Sequence, residues 1–568
     1  MARFARDCIA KMKILTKKLE TSLGPDTGDL CLRVGLHSGQ VTAGVLRGDK
    51  SRFQLFGDTM NTAARIESTG EKNKIHVSSE TASDLIAQGK RHWLEEREGN
   101  VHAKGKGDLI TFWLKMNETS TLSTISRSSQ ADDEEEEDDT TQAEERPKKL
   151  LALVRSDSKG NLGRRSVNDD KTDRLISWNV DVLAKVLKQI VLRRQAIGTD
   201  LTPFADPEDK YGSREMIIDE VKEVIMLPRF DQHFTNTIDE IDSFELDPQV
   251  MFELREFVTT ISQMYRDNPF HNFEHASHVT MSVVKLLSRI VAPDDKIIEE
   301  QDIDDHGEKI AALLHDHTYG ITSDPLTQFA CIFSALIHDV DHTGVPNSQL
   351  VKENLPIASV YGNKSVAEQN SVDISWGLLM GPEFSALRGA IYHDENEMDR
   401  FRQLVVNSVM ATDIMDKDAL AFRRARWEKA FYKQQNEEED AGESCVEQSV
   451  NRKATIVIEH LIQASDVSHT MQHWHVYTKW NERLFHEMYK AYKEGRSETN
   501  PADNWYQGEI GFFDYYIIPL AMKLKTCGVF GVSSDEYLNY ATTNRKTWEV
   551  KGKERVEEMI QQVTSLYS

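Results

Sequence analysis

Two short motifs carry the side chains in this sequence that are best suited to bind a metal ion. Residues 271–276 read HNFEHA, and residues 338–342 read HDVDH. In the first motif His271 and His275 are four positions apart, which predicts that both imidazoles lie on one face of a helix. Imidazole and carboxylate are ligands of zinc and of other divalent cations. The pattern therefore predicts a metal site built from both motifs.

An apolar stripe at helical spacing leads into the second motif and ends at Leu336. Asp339 lies three positions further on and continues that stripe, so we expect its carboxylate to be buried. A buried charge without a partner is expensive, and Asp339 therefore needs a cation or a metal ion beside it. The distribution of histidines supports this interpretation, because 13 of the 19 fall between His271 and His475.

A third motif, residues 464–469 (ASDVSH), carries another acid among apolar residues. The helical spacing before it places Asp466 on the buried face of one long helix, which we predict to run towards Tyr492. His469 and His473 fall on the same face of that predicted helix. Polar, metal-type side chains are therefore expected to point into an apolar core.

The composition excludes several classes of protein. The 568 residues are 39% apolar and 28% charged, which is enough for several domains with substantial cores. A formal net charge of -25 argues against a nucleic-acid partner held by long-range attraction. The five cysteines have no CxxC spacing, as expected for reduced thiols in a cytoplasmic protein. No apolar stretch is long enough to predict a membrane span, although the chain is compatible with the cytosolic part of a longer membrane-bound receptor.

Three regions follow from the patterns along the chain. Residues 1–116 mix helix and strand signals, with helices predicted at about 1–20, 59–67 and 79–87 and strands at about 30–36, 74–77 and 111–114. Residues 117–173 are rich in Ser and Thr and include eight consecutive acids at 132–139, which predicts a disordered linker. A plain tether is the favoured interpretation of that linker over a regulated switch. Residues 174–568, with a core from about 210, show a period near 3.6 and predict an all-α domain.

Five motifs of the C-terminal region occur in the order found in class I 3',5'-cyclic-nucleotide phosphodiesterases. They are residues 271–276, 338–342, 411–413 (ATD), 464–469 and 511–515 (GFFDY). The region from about residue 210 onwards resembles the catalytic domain of that family. The resemblance implies a helical fold of the HD type. It also implies metal-dependent hydrolysis of the 3' phosphoester bond of a cyclic nucleotide, cGMP or cAMP, to the 5'-monophosphate.

The same resemblance implies the metal ligands and the general acid. His275, His338, Asp339 and Asp466 match the ligands of a tightly held zinc ion. Asp339 also matches the bridge to a second ion, which the family fills with magnesium or manganese. His271 matches the general acid that protonates the leaving 3' oxygen.

Further residues match positions around this centre. His342 and Glu368 match side chains that orient water or His271, as groups behind metal ligands commonly do. Phe512 matches the aromatic that stacks on the purine, and His469 is assigned with it to substrate binding. We interpret Asp413 as structural.

Glu509 departs from the family pattern, which has a glutamine three residues before the aromatic. An ionised carboxylate only accepts hydrogen bonds, whereas a glutamine donates and accepts. Guanine presents two adjacent donors, so we expect Glu509 to favour cGMP. A shift in register that brings Gln507 into this position is the alternative.

Residues 1–116 resemble the second half of a class III adenylate or guanylate cyclase domain, which implies a partial α/β fold of the ferredoxin-like type. The resemblance is carried by residues 33–39 (RVGLHSG), 56–67 (FGDTMNTAARIE) and 104–107 (KGKG). Asn61, Arg65 and Lys104 match residues that position the ribose and contact the phosphates.

This cyclase segment is incomplete. The two metal-binding aspartates of the family lie on strands that precede the part seen here, and phosphoryl chemistry requires the metal ions that they hold. We therefore predict no cyclase activity from this chain alone. A homodimer or a cyclase partner, formed through residues 1–116, is the expected way to complete such a site.

Alternatives to the phosphodiesterase hypothesis come from other classes. The chain would be a bifunctional cyclase and phosphodiesterase if a longer product or a partner supplied the missing aspartates. It would be a regulatory module if the helical domain were inactive, although the complete ligand set speaks against this. A metal-dependent phosphohydrolase of the wider HD type is a more distant alternative.

Overall fold

The computed structural model describes ten segments of the chain. They are residues 1–23, 30–46, 52–97, 101–103, 107–115, 168–198, 216–230, 243–290, 306–432 and 443–567. The chain forms two compact units, one within Met1–Ala143 and the other within Glu144–Ser568. Most of the predicted linker lies outside the described residues, but its last six residues, from Asn168 onwards, are helical. The other predicted domain boundaries remain predictions.

The first unit is a small α/β unit. Its described elements are α1 (Ala2–Leu23), β1 (Val34–Leu36), β2 (Thr42–Leu46), β3 (Arg52–Phe56), α2 (Asp58–Ser68), β4 (Ile75–Ser78), α3 (Ser79–Ala87), β5 (Leu94–Glu96), β6 (Val101–Ala103), β7 (Gly107–Leu109) and β8 (Thr111–Leu114). Four strands form one sheet in the order β1-β4-β8-β5, in which β1 and β4 are parallel and the other pairs antiparallel. The predicted mixture of helices and strands is confirmed.

Apolar side chains of α1 hold that helix to the sheet. Ala5 and Ile9 are buried in one cluster with Leu36, Ile75 and Val77 of the two parallel strands. Strand β1 also approaches α2 closely at Gly35, where a Cβ atom would lie 2.3 Å from the backbone nitrogen of Glu67. Only glycine allows this approach, because backbone atoms cannot move aside as a flexible side chain does.

The second unit is helical, and no strand occurs among its described residues, which confirms the predicted all-α class. Its helices are α4 (Asn168–Ile197), α5 (Pro248–Met264), α6 (Phe273–Ser288), α7 (His306–His317), α8 (Pro325–Ile337), α9 (Asn347–Lys352), α10 (Pro356–Val360), α11 (Val366–Leu379), α12 (Ser385–Ile391), α13 (Glu395–Met410), α14 (Lys417–Phe431), α15 (Glu443–Asp466), α16 (Trp474–Lys493), α17 (Trp505–Phe512), α18 (Ile518–Thr526) and α19 (Gly531–Tyr567).

Helix α8 lies at the centre of this unit. Asp324 caps its first turn by accepting a hydrogen bond from the backbone of Thr327, and Pro325 occupies the first helical position, where it has no donor to lose. Every residue of α8 except Gln328 is buried, so the helix is apolar on all sides, as expected of a helix surrounded by others. It packs against α4, α6 and α13, and its C-terminal end leads directly into His338.

The long helix predicted from Ile458 towards Tyr492 is wrong, because the chain breaks after Asp466. Helix α15 ends there, a single 3₁₀ turn follows (Ser468–Met471), and α16 begins at Trp474. Asn544 of α19 compensates for the break, because its side-chain amide donates to the carbonyl oxygens of Thr470 and Gln472 at 2.9 and 2.7 Å. His469 and His473 therefore do not continue the buried face of α15.

One buried ion pair joins two helices of this core. The guanidinium of Arg426 donates to the carboxylate of Glu459, and both side chains are almost fully buried. Arg426 also donates to the backbone carbonyl of Lys222, and Asn407 donates to the second oxygen of Glu459. These hydrogen bonds stabilise the two buried charges, while Nε of Arg426 has no hydrogen-bond partner among the described residues.

We expect Arg426→Met to lower the free energy of unfolding by about 3 kcal/mol, because it leaves the charge of Glu459 buried without a cation. The double variant with Glu459→Met should recover much of that loss, since neither charge then remains. Arg229→Met, whose pair with Glu447 is exposed, should cost less than about 1 kcal/mol. Urea denaturation followed by tryptophan fluorescence measures all three, and equal losses for Arg426→Met and Arg229→Met would contradict the expectation.

Candidate metal centre and catalytic site

Three helices bring the predicted metal ligands together. The end of α8 supplies His338 and Asp339, the first turn of α6 supplies His275, and the end of α15 supplies Asp466. One ligand atom from each of His275, His338 and Asp466 lies within 4.8 Å of the other two. The sequence places these residues up to 191 positions apart, so the fold alone creates the cluster.

The carboxylates face the histidine rings at short distances. His275 Nε2 lies 3.1 Å from Asp466 Oδ1 and 3.8 Å from Asp339 Oδ2. His338 Nε2 lies 3.2 Å from Asp339 Oδ2 and 3.5 Å from Asp466 Oδ1. Two imidazole nitrogens and two carboxylates thus point towards one volume, which is the donor set of a divalent cation of the zinc type.

His338 gives an independent test of whether a metal fits here. Its Nδ1 lies 2.9 Å from the carbonyl oxygen of Ala335 and is oriented to donate to it. Its Nε2 is buried and forms no hydrogen bond of good geometry, and its nearest acidic neighbours are the carboxylate oxygens of Asp339 and Asp466 at 3.2 and 3.5 Å. A buried nitrogen without a good hydrogen bond is costly, whereas a ring fixed through its other nitrogen is the usual arrangement of a metal-binding histidine. The residues present therefore fit a metal ion.

The electrostatics of the cluster support the same fit. Burial raises the pKa of Asp339 and of Asp466, but the neighbouring histidines outweigh burial and hold both pKa values below their usual range. Burial lowers the pKa of His338, but Asp339 and Asp466 outweigh it and raise that pKa well above its usual value. Charges that hold a proton on His338 also attract a divalent cation, which would displace that proton.

His271 lies outside α6, so the prediction of a helical pair with His275 is wrong. Asn272 has an extended backbone and caps the helix, its side chain accepting a hydrogen bond from the backbone nitrogen of His275 at 3.0 Å. The His271 ring instead turns to Glu487, whose carboxylate accepts a hydrogen bond from Nδ1. The same carboxylate accepts hydrogen bonds from the backbone nitrogens of Phe270 and His271 at 2.8 and 3.0 Å.

Glu487 determines the charge of His271. Burial lowers the pKa of His271, but Glu487 outweighs it, and the pKa rises to about 9. Burial raises the pKa of Glu487, but His271 outweighs that effect and lowers the pKa to about 2. At neutral pH the pair is an imidazolium held by a carboxylate, so His271 carries a proton that it can donate.

His342 and Glu368 lie close to this pair and to the cluster. The rings of His271 and His342 are 3.9 Å apart, and burial together with the charge of His271 lowers the pKa of His342 to about 4. Burial and then Asp413 raise the pKa of Glu368 to about 8, while Asn347 donates to its carboxylate at 2.8 Å. His342 is therefore neutral and Glu368 largely protonated at neutral pH, and both retain hydrogen-bonding capacity.

Asp413 is part of the supporting structure, as its hydrogen bonds show. One oxygen accepts from the backbone nitrogens of Met415 and Asp416, and the other accepts from the hydroxyl of Ser365 at 2.8 Å. These bonds fix the turn between α13 and α14.

The predicted base-binding residues lie at the end of α17. Phe512 is half-buried, and its ring stacks on Tyr516 with the centroids 5.4 Å apart. Glu509, one turn earlier, is 8% exposed, and its Oε2 accepts a hydrogen bond from the hydroxyl of Tyr477 at 2.8 Å. Gln507 is exposed, so the alternative register that would bring it into this position gains no support.

His469 occupies a different environment from these two residues. Its ring packs edge-on against Phe270 and near Trp480, with centroid distances of 5.5 and 6.2 Å. Burial, followed by the charge of His275, lowers its pKa to about 3. This position favours a packing role beside His275 over the predicted contact with substrate.

The predicted cyclase residues are only partly described. Asn61 is exposed and Arg65 half-buried, one turn apart on α2. Lys104 lies outside the described residues.

Sequence reasoning missed Glu487 and Tyr477, which orient His271 and Glu509. A signal for Glu487 existed, since it continues the spacing of Tyr477, Trp480 and Leu484 on the buried face of α16. No local pattern indicates that its partner is His271, which lies 216 positions away.

The helical unit matches a known family. Residues 270–528 match the family model of the 3'5'-cyclic nucleotide phosphodiesterase, a span that contains all of the residues of the metal cluster. Over these residues the chain is similar to the 3'5'-cyclic nucleotide phosphodiesterase family. Residues 3–116 match the adenylate and guanylate cyclase catalytic domain, so the expected resemblances of both regions are confirmed.

Individual relatives match parts of the chain. The probable 3',5'-cyclic-AMP phosphodiesterase pde-4 of Caenorhabditis elegans is 24% identical over 272 residues, which are 46% of this chain and 35% of that protein. The receptor-type guanylate cyclase Gyc76C of Drosophila melanogaster is 48% identical over 87 residues, 15% of this chain and 6% of that protein. The chain thus spans only about a third or less of these relatives.

The phosphodiesterase domain of a rhodopsin phosphodiesterase fusion protein from Salpingoeca rosetta aligns with a TM-score of 0.40 and 20% identity, over 60% of this chain and 97% of that one. Separately, within the described residues, no helix combines the length and the apolar character needed to cross a bilayer.

We expect the purified full chain to retain zinc through gel filtration, and Asp466→Asn to lower its affinity for zinc by at least about tenfold, because the variant removes a charged ligand. Asp535→Asn is the matched control, since Asp535 forms an exposed pair with Lys525. Elemental analysis after dialysis against a chelator gives the metal content. Equal zinc in Asp466→Asn and wild type would exclude Asp466 as a ligand.

Proposed function

We propose that the phosphodiesterase domain hydrolyses the 3' phosphoester bond of a 3',5'-cyclic nucleotide, using two divalent metal ions. The observation that carries this proposal is the convergence of His275, His338, Asp339 and Asp466 beside the His271 ring, which lies 6.0 Å from the His275 ring and donates a hydrogen bond to Glu487. When bound, divalent ions neutralise phosphate charge and lower the pKa of water, which supplies a nucleophile at neutral pH.

The four ligands divide by donor type. His275 and His338 offer neutral nitrogens and suit zinc, with Asp466 as an anionic ligand. Asp339 approaches both histidines through Oδ2, and its second carboxylate oxygen is proposed to bind a second ion. Magnesium or manganese is the proposed second ion, because it prefers oxygen ligands and keeps several waters.

His271 is the proposed general acid. The leaving 3' oxygen develops negative charge as the phosphoester bond breaks, and a proton donor beside it lowers the barrier. Glu487 keeps that proton on His271 and fixes the ring through Nδ1, which leaves Nε2 to face the substrate. His342, neutral and packed at a tilt against the His271 ring, is proposed to limit the movement of that ring.

The nucleotide base is proposed to lie on Phe512. The ring of Phe512 is partly exposed, and an aromatic face next to a phosphate site is suited to stack on a purine. The ring of Tyr516 stacks on the ring of Phe512 and stabilises its position.

The cyclase segment is proposed to be inactive by itself. Asn61 and Arg65 of α2 suit contacts to ribose and phosphate, but we find no sequence match to the two aspartates that would hold magnesium in such a domain. We propose that activity at this segment, if present in a longer product, requires a second copy or a cyclase partner that binds through residues 1–116.

We expect the full chain to hydrolyse cAMP, cGMP or both in the presence of Mg²⁺, and Asp466→Ala to lose at least about a thousandfold in kcat/KM, because a metal ligand supplies several kcal/mol of transition-state stabilisation. The Asp535→Ala control should retain wild-type activity. Chromatographic detection of the 5'-monophosphate measures the rate and distinguishes 3' from 5' cleavage. Absence of product from metal-loaded wild type would refute the proposal.

We also expect Glu487→Gln to lower kcat and to move the alkaline limb of the pH profile to lower pH. His271 is protonated below its pKa of about 9 and loses its proton as pH rises through that value. Without the charge of Glu487 the pKa falls, so the acid is lost at lower pH. Glu482→Gln on the same helix, whose partner is Arg555, is the control. An unshifted alkaline limb would show that Glu487 does not set the charge of His271.

A further inference from the structure

A cavity of about 270 Å³ lies in the helical unit between α13, α14 and the 3₁₀ turn Ile217–Glu220. Its wall is mainly apolar, and the side chains of Val221, Met410 and Phe422 contribute to it. A concave, mainly apolar surface with a few polar groups is the usual form of a small-molecule site, and this volume suits a small member of that class. None of the proposed metal ligands lines the cavity, so it is separate from the metal cluster.

Arg426 forms a polar part of the wall and has an incomplete set of hydrogen bonds. Its terminal nitrogens donate to the carboxylate of Glu459 and to the carbonyl oxygen of Lys222. Its Nε is buried and has no hydrogen-bond partner among the described residues. A buried donor without an acceptor is costly. An oxygen atom of a ligand that lies against Arg426 would offset this cost.

The charged groups around the cavity favour an uncharged ligand. The charge of Arg426 is already compensated by Glu459. Asp416 and Asp418 also line the cavity, and their carboxylates would repel an anion. Arg423 lines it as well, and its guanidinium would repel a cation. Removing the charge of a ligand from water adds a further cost.

Ser365 links the cavity to one side of the metal cluster. It lines the cavity and immediately precedes α11, and its hydroxyl donates to the carboxylate of Asp413 at 2.8 Å. Further along α11, the hydroxyl of Ser371 donates to the carbonyl oxygen of Val340 at 2.9 Å. Val340 directly follows Asp339, a proposed metal ligand. A displacement of Ser365 and of the first turns of α11 would therefore reach Asp339.

Ala411 links the cavity to the other side of the cluster. It lines the cavity directly after α13, and its carbonyl oxygen accepts a hydrogen bond from the side chain of Gln463 at 2.8 Å. Gln463 lies on α15 in the turn before the proposed ligand Asp466. Energetic coupling between two sites is carried by such chains of packed and hydrogen-bonded groups. Both carboxylates of the cluster are thus connected to the wall of the cavity.

We propose that this cavity is a regulatory site for a small uncharged molecule, which is mainly apolar and carries one oxygen that accepts a hydrogen bond. Binding of this molecule changes the activity at the metal cluster. The binding does not depend on the function proposed above, whereas the regulation rests on it. Ser365 is the most direct point of action, because its left-handed backbone (φ 39°) is unfavourable for a residue with a side chain and depends on its contacts.

Acetophenone tests the ligand class, because it combines an apolar ring with one carbonyl oxygen and has no charge. Saturation-transfer NMR with the metal-loaded full chain measures its dissociation constant beside those of ethylbenzene, which lacks the oxygen, and benzoate, which is anionic. We expect acetophenone to bind about fivefold more tightly than ethylbenzene, since one hydrogen bond is worth a factor of this size. Benzoate should bind more weakly than acetophenone. Equal affinities for acetophenone and ethylbenzene would overturn the proposed contact with Arg426.

Two variants of α14 locate the bound molecule. Ala419 lines the cavity, so Ala419→Trp should fill it and abolish the binding of acetophenone. Ala421 is exposed on the same helix and does not line the cavity, so Ala421→Trp should leave the affinity unchanged. If Ala419→Trp fails to fold, the methyl resonance of Met410 in the wild-type chain gives the location, since acetophenone in the cavity shifts it. The site is overturned if Ala419→Trp retains the binding, if the Met410 resonance does not shift, or if the wild-type chain does not bind acetophenone.

Kinetic measurements test the regulation. We expect saturating acetophenone to change kcat for cAMP or cGMP by about fivefold in the wild-type chain, which is the lower end of typical coupling between sites. Ser365→Gly should abolish this change, because glycine tolerates the left-handed backbone but lacks the hydroxyl that binds Asp413. An unchanged kcat with acetophenone bound overturns the regulation and leaves the proposed hydrolysis standing.

If the wild-type chain hydrolyses neither nucleotide, the proposed function fails, and the dissociation constant of Mn²⁺ then tests the coupling. Electron paramagnetic resonance measures that constant with and without acetophenone. Coupling between two binding sites is reciprocal. A shifted constant therefore supports the link between the cavity and the metal cluster, and an equal constant overturns it.

Discussion

Two partly buried aspartates facing two histidines are the constraint on which the helical unit depends. Removing Asp339 and Asp466 from most of their water costs free energy for each charge, and this cost must be offset by cations or metal ions in the same volume. His275 and His338 partly offset it, and the buried Nε2 of His338, which forms no hydrogen bond of good geometry, shows that they do not complete it. The apolar packing of α8 on all sides therefore has a second consequence besides stability. It holds the carboxylates beside the histidines, with 15% of the Asp339 side chain and 23% of the Asp466 side chain exposed.

The histidines around this cluster have different charges because their neighbours differ. His271 faces the carboxylate of Glu487 and keeps its proton, whereas His342 faces the charged ring of His271 and loses its own. Two imidazolium rings 3.9 Å apart would repel each other, so protonation of one excludes protonation of the other. His469, buried among aromatic rings, is neutral for lack of a partner strong enough to offset burial. One proton donor thus lies beside the metal cluster, in a fixed position.

Local patterns in the sequence predicted those parts of the structure that depend on local interactions. The all-α class, α3 and β8 followed from periodicity and capping, whereas Asp339, which the apolar stripe predicted to be buried, is only partly buried. The break in the helix after Asp466 could not be predicted in this way. The carbonyl oxygen of Thr470 in this break accepts a hydrogen bond from Asn544, which lies far along the chain. His271 lies outside α6 because Asn272 caps the helix and because Glu487 binds the His271 ring. The sequence indicates the first cause, since asparagine favours the N-cap position, but it does not indicate that Glu487 lies near His271. Pairings across more than 200 residues arise from packing, and periodicity carries no information about them.

The proposed metal site and the proposed base-binding segment are built by different means. The proposed metal site uses the termini of three helices and charges that compensate one another, so a substitution there disturbs several groups at once. The proposed base-binding segment uses α17 and a π-helical turn (Phe513–Ile517), a rare element that is often found at functional sites. That turn lets Phe512 and Tyr516 stack, while Glu509 is held by one hydrogen bond from Tyr477. The proposed base-binding residues therefore depend on aromatic packing and one hydrogen bond, whereas the proposed metal ligands depend on charges that compensate one another.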